Sequence, residues 1–149
     1  MTQPYARILV VDDEVVIRHT LATLLRRQGY AVWTATDSVE AEVLLRNSVF
    51  DLLLLDLYLP GGVSGLDIAQ SAHVYQPNAV VLILTGSDAF ADIVSDVSIQ
   101  KFEIIFKTAG PQDVLDRVAV LLTQRQKRYE ITQNGNPAGI LQNRSVNAS

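Results

Sequence analysis

Short runs of apolar, often β-branched residues alternate along this chain with longer stretches in which apolar positions recur every three to four residues. The first run, Arg7–Val11, reads as a buried strand. Residues 14–28 follow with Ile17, Leu21, Leu24 and Leu25 on one helical face, and Gly29 stands where such a helix ends. Ala31–Ala35 is expected to be a second strand, and residues 38–47 a helix that either Asp37 or Ser38 can cap. Residues 51–56 hold four consecutive leucines, the pattern of a central strand covered on both faces.

Residues 60–65 read as a loop, from which Ser64 or Gly65 opens a helix to about 75 that ends at Gln76, Pro77 and Asn78. Residues 79–84 form the expected fourth strand. Residues 88 to about 99 form a weaker fourth helix, because valine and isoleucine lower its propensity. A fifth strand spans 102–106, and Pro111 suits the first position of a last helix running to about 125, with an extension to about 131 left open. The sum is an α/β protein of (βα)5 form: a doubly wound, five-stranded parallel sheet with right-handed crossovers and helices on both faces.

At 149 residues and 48% hydrophobic, the chain has the size and composition of one globular domain. It has no cysteine, which excludes disulfides, thiolate metal sites and a cysteine nucleophile. No stretch approaches the roughly 20 apolar residues needed to cross a bilayer, and the N-terminus lacks a signal pattern, so a cytoplasmic location is expected. The net charge of −4 is unevenly placed: residues 126–149 carry +2, leaving −6 on the rest. An acidic body argues against direct nucleic-acid binding. Residues 1–125 are expected to fold, and 126–149, rich in Asn, Gln, Gly and Ser, to form a loosely ordered polar tail or linker.

In a doubly wound sheet, ligands bind beyond the carboxyl ends of the strands. Strand one ends at Asp12 and Asp13 with Glu14 next, strand three at Asp56, strand four at Thr85 and strand five at Lys107. Two carboxylates ~4 Å apart repel by ~4 kcal/mol at an effective dielectric near 20, so such a cluster calls for a neutralising partner. A hard divalent cation such as Mg2+, which takes one or two carboxylates plus water and phosphate oxygens, supplies it. Asp56 can then act as a nucleophile that forms an acyl phosphate, with Lys107 and Thr85 stabilising the phosphoryl oxygens. Singly, each residue has a plainer reading: Asp12 or Asp13 as a helix cap, Thr85 as a turn residue, Lys107 as a solvated strand end. Their convergence at one edge carries the chemical reading.

Leu9-Val-Val-Asp-Asp-Glu14, Asp51-Leu-Leu-Leu-Leu-Asp-Leu-Tyr-Leu-Pro60, Leu84-Thr-Gly86 and Phe106-Lys107 together resemble the motifs of two-component response regulator receiver domains, over residues 7 to about 123. The resemblance implies a flavodoxin-like strand order, 2-1-3-4-5, and a phosphoryl group accepted on Asp56. It implies Mg2+ held by Asp13 and Asp56, by Asp12 directly or through water, and by the backbone carbonyl of Tyr58. Lys107 would pair with the phosphoryl group, and Thr85 would swing toward it. The donor would be a phosphohistidine on a histidine kinase or a histidine phosphotransfer protein. A homodimer would form through the face of the fourth helix, fifth strand and fifth helix.

Thr108 stands where the family usually has proline, and Ile104 where it has an aromatic residue, with Phe102 and Phe106 out of register. Ser98-Ile-Gln-Lys101 replaces a small-residue turn, and Pro60 and Gly65 are one residue further apart than is common. Two other functions compete. A Mg2+-dependent phosphohydrolase would need a second aspartate two residues after the nucleophile, where Tyr58 stands. A receiver-like interaction module that works without phosphorylation would be expected to lack an acidic residue or the lysine. His19 and His73 read as surface residues, Trp33 as edge-strand packing, and Gly61, Gly62 and Gly65 form no nucleotide-binding motif.

Overall fold

The structure, a computed structural model, describes residues 5–86 and 102–131. Five parallel strands make one sheet in the order β2-β1-β3-β4-β5: β1 (Arg7–Val11), β2 (Ala31–Ala35), β3 (Leu52–Asp56), β4 (Val80–Thr85) and β5 (Glu103–Phe106). The expected class and strand order are both found. Four helices are described: α1 (Val15–Arg27), α2 (Ser38–Asn47), α3 (Gly65–Tyr75) and α4 (Pro111–Glu130). The helix expected over 88–99 and the Ser98–Lys101 turn lie outside the described residues, so α4 is the last helix of the expected set.

Two cores flank the sheet. Leu9, Val11, Leu53, Leu55 and Ile83 face α2 and α3, where Ala41, Leu45, Ala69 and Ala72 meet them. Ile8, Val10, Leu52, Leu54, Leu82 and Leu84 face α1 and α4, against Leu21, Leu25, Val114 and Val118. The four leucines of β3 are fully buried, as their two-sided pattern requires. His19 and His73 are exposed. Trp33, on the edge strand β2, packs edge-on to Phe50 at 5.6 Å.

The helix ends follow their local chemistry. Gly29 takes a φ of 98° after α1, and Asp37 caps α2 by accepting from the Glu40 N–H at 2.9 Å. Ser64 and Asp67 form a reciprocal capping box at the start of α3. Glu14, not Asp12 or Asp13, is the N-cap residue of α1, and its side chain makes no capping bond. The last helix runs to Glu130, beyond the compositional boundary at 125. Arg125 holds it to the body through Asp51 at 2.8 Å and the Asn78 carbonyl at 2.9 Å. Residues 132–149 lie outside the described residues.

At the amino end of the sheet, Gln76 ties three segments together. Its side-chain oxygen accepts from the buried Phe50 N–H at 2.7 Å, and its amide donates to the Leu45 carbonyl at 2.8 Å and to the Ser48 carbonyl. The opposite, carboxyl edge is left to the loops that follow the strands.

Candidate functional site

The sheet order brings the carboxyl ends of β1, β3, β4 and β5 together. Val11 pairs with Leu55, Asp56 with Leu84 and Thr85 with Phe106, so the residues at or just past these ends share one edge. Asp12 and Asp13 follow β1, Asp56 closes β3, Thr85 closes β4 and Lys107 follows β5. Asp12 is fully buried and Asp56 nearly so, whereas Asp13 is exposed.

The Lys107 ammonium lies among three carboxylates: 3.0 Å from Glu14 Oε1, 3.2 Å from Asp12 Oδ2 and 3.2 Å from Asp56 Oδ2. Burial would lower the Lys107 pKa. The hydrogen bond to Glu14 and the charges of Asp56 and Asp12 outweigh that and raise it, so the side chain stays cationic. Burial pushes the Asp56 carboxyl up to about 6, and the neighbouring Asp12 charge adds to it; Lys107 and the Tyr58 N–H pull the other way. Burial also raises Asp12, against the opposing effects of the Glu14 N–H and Lys107.

Asp12 Oδ1 accepts the Glu14 N–H at 2.9 Å. Its Oδ2 is buried and has no donor in hydrogen-bonding geometry, although it lies within ion-pair reach of Lys107. Ligand oxygens of Asp12, Asp13 and Asp56 lie within 4.8 Å of one another. An all-oxygen donor set with one underused buried carboxylate oxygen fits a hard divalent cation.

Not every expected residue reaches this cluster. Thr85 is fully buried, and its hydroxyl donates to the Gly86 carbonyl at 3.3 Å. Phe106, one residue before Lys107, is the cross-strand neighbour of Thr85, while Ile104 pairs with Ile83. The chain after Lys107 makes a single 3-10 turn, Lys107–Ala109, and Gly110 at φ 94° then aims Pro111 into α4. The Tyr58 N–H approaches Asp56 Oδ1 at 3.4 Å.

Two supporting residues escaped sequence reasoning. Arg18, buried on α1, donates to the Asp12 carbonyl at 2.9 Å and fixes the backbone that carries the acidic pair. Its signal was available: Arg18 falls on the helical stripe of Leu21, Ala22 and Leu25, where a charge needs a partner. Gly65 touches the main chain of Asp56, where a Cβ would collide with the carbonyl oxygen and lie 2.9 Å from its carbon. Between Pro60 and Gly65 the chain makes a tight turn in which Gly61 and Gly62 take φ of 82° and 76°.

Residues 8–119 match the family model described as the response regulator receiver domain. The chain is 36% identical over 120 residues to the alginate biosynthesis transcriptional regulatory protein AlgB of Pseudomonas putida, covering 80% of this chain and 27% of that protein. It thus spans about a quarter of the length of that relative. Among solved structures, it resembles the response regulator TrrA of Thermotoga maritima, determined in complex with Mg2+-BeF. The identity is 33% and the TM-score 0.68, covering 78% of this chain and 98% of that one. It also resembles a response regulator of Burkholderia pseudomallei, determined with a phosphorylated aspartic acid, a calcium ion and citrate. Here the identity is 30% and the TM-score 0.66, covering 89% of this chain and 75% of that one. The fold, the acidic edge and these likenesses together place the chain in the response regulator receiver domain family.

Proposed function

We propose that this domain takes a phosphoryl group onto Asp56 from a phosphohistidine and thereby switches the binding of a partner. The observation that carries this reading is Lys107, whose ammonium spans Asp12 and Asp56 at 3.2 Å each beside the Asp12–Asp13–Asp56 cluster. An Asp56 oxygen attacks phosphorus as the bond from phosphorus to the donor imidazole nitrogen breaks. Lys107 pairs with the phosphoryl oxygens, and the Thr85 hydroxyl turns from the Gly86 carbonyl to meet them.

Mg2+ would be held by the side chains of Asp12, Asp13 and Asp56 and by the Tyr58 carbonyl. When bound, it offsets the carboxylate charge and draws in the phosphorylated donor. Arg18 keeps the Asp12 backbone in place for this.

The donor is a histidine kinase or histidine phosphotransfer protein, in a cytoplasmic setting. Phosphotransfer and dephosphorylation at Asp56 are self-catalysed, with no separate substrate. Among the described residues no helix is long and apolar enough to cross a membrane. The domain itself makes no direct nucleic-acid contact in this reading, and residues past α4 serve as a linker or tail. A homodimer through a face that includes β5 and α4 follows family habit; the fourth helix expected for that face, over 88–99, lies outside the described residues.

Intact mass after incubation with acetyl phosphate, with and without Mg2+, tests the proposal on wild type and Asp56→Asn. A Mg2+-dependent gain of one phosphoryl group in wild type, absent from the variant, is expected. A wild type that neither gains the group nor binds beryllofluoride would shift the reading to an interaction module that works without phosphorylation.

A further inference from the structure

Glu14 makes the shortest of the three Lys107 contacts, at 3.0 Å, across 93 residues of sequence. It does so from an unusual position. Glu14 is the N-cap of α1, where Ser, Thr, Asp or Asn would serve the helix better, and its carboxylate makes no capping bond. More than half of its side chain is exposed, at 58%, whereas those of Asp12 and Asp56 are 0% and 7% exposed. The contact therefore sits at the mouth of the site and the other two at its floor.

An ammonium has three N–H donors, and three carboxylates already surround this one. Asp12 and Asp56 lose their claim on Lys107 once they are committed to a cation or, for Asp56, to phosphorus. Glu14 then remains as its carboxylate partner. We propose that Glu14 is a positioning residue that holds the Lys107 ammonium toward the mouth, easing cation entry below it and competing with the incoming phosphoryl group for the same ammonium. The effect has two opposite signs: Glu14 favours the cation and opposes the anion. It makes the lysine a toll shared between both steps. This inference rests on the reading of Asp56 and Lys107 given above.

The test uses the full chain as wild type, Glu14→Gln, Lys107→Ala and the double variant, with calorimetric Mg2+ titration and beryllofluoride binding at saturating Mg2+. In the wild-type background, Glu14→Gln is expected to weaken Mg2+ about threefold and to tighten beryllofluoride by a similar factor, the scale of a single partly exposed ion pair. Loss of a nearby negative charge alone would give the same signs, so the double variant decides between the two. If Glu14 acts through Lys107, the Glu14→Gln effect on Mg2+ disappears in the Lys107→Ala background. If the threefold loss persists there, or if both ligands move in the same direction, the proposal is overturned. Wild type that binds Mg2+ but neither beryllofluoride nor a phosphoryl group would instead sink the phosphoacceptor reading, and the Mg2+ cycle would still decide the role of Glu14.

Discussion

Asp56 holds its charge at a cost to the fold. Burial, with the neighbouring Asp12 charge, pushes its carboxyl up to about 6 in the folded chain, above the range of a free carboxylate, so the folded state binds the proton more tightly than the unfolded one. The resulting stabilisation is complete below about pH 4 and is lost as pH rises through about 6. In the metal-free protein, Asp56→Asn should therefore raise the melting temperature at pH 8, by about 1–3 kcal/mol of stability, and change little at pH 4. Melting curves at both pH values check this, and equal effects at both would contradict the assigned cause. Gly65 constrains the same residue from behind. Gly65→Ala should cost about 1–3 kcal/mol and slow acyl phosphate formation, because the added methyl group displaces the Asp56 carbonyl. The meeting of Asp12, Asp13, Asp56 and Lys107 at one edge was legible because strand ends can be read from apolar runs and the parallel topology sends those ends together, whereas Thr85, also at a strand end, keeps its hydroxyl on the Gly86 carbonyl. Glu14 was not assigned its contact, since an ion pair across 93 residues exists only once α1 is packed; the place of Arg18 on the apolar stripe was readable, but not the carbonyl it meets.

At the level of elements, periodicity located the described strands and helices to within a few residues. The differences lie where tertiary contacts, not patterns, set the ends. α4 outruns its compositional limit because Arg125 reaches Asp51 and Asn78, and Gln126 pairs with Glu130 one turn on. Gln76 was read as a helix stop, but it also joins α2, the entry to β3 and α3. Gln76→Ala would leave the Phe50 N–H and two carbonyls without partners in a buried setting, at about 2–4 kcal/mol. Urea denaturation should show a lower midpoint with an unchanged slope, and Mg2+ binding at the far edge should be retained. A loss of Mg2+ binding without loss of stability would argue that Gln76 acts on the site instead.

Across the whole molecule, the sheet separates two tasks: a bonded amino edge that secures the helices and a carboxyl edge that concentrates charge. Cation binding should feed back on the entire fold, since it relieves repulsion at that edge. A Mg2+ concentration 100 times its dissociation constant should add about 2.7 kcal/mol, and Asp12→Asn should remove most of that gain. Thermal melts with millimolar Mg2+ and with chelator measure it; a melting temperature indifferent to Mg2+ would count against the cation site. The setting of Trp33 also determines how the protein can be watched. It is the only tryptophan in the chain, stacked under the Arg7 guanidinium at 4.2 Å and met edge-on by Phe50. Strand spacing and rise put it about 14 Å from Asp56, two strands away. Its emission should track the docking of the edge strand and stay nearly silent when the acidic edge is occupied, so a fluorescence titration would record unfolding faithfully and ligand binding hardly at all.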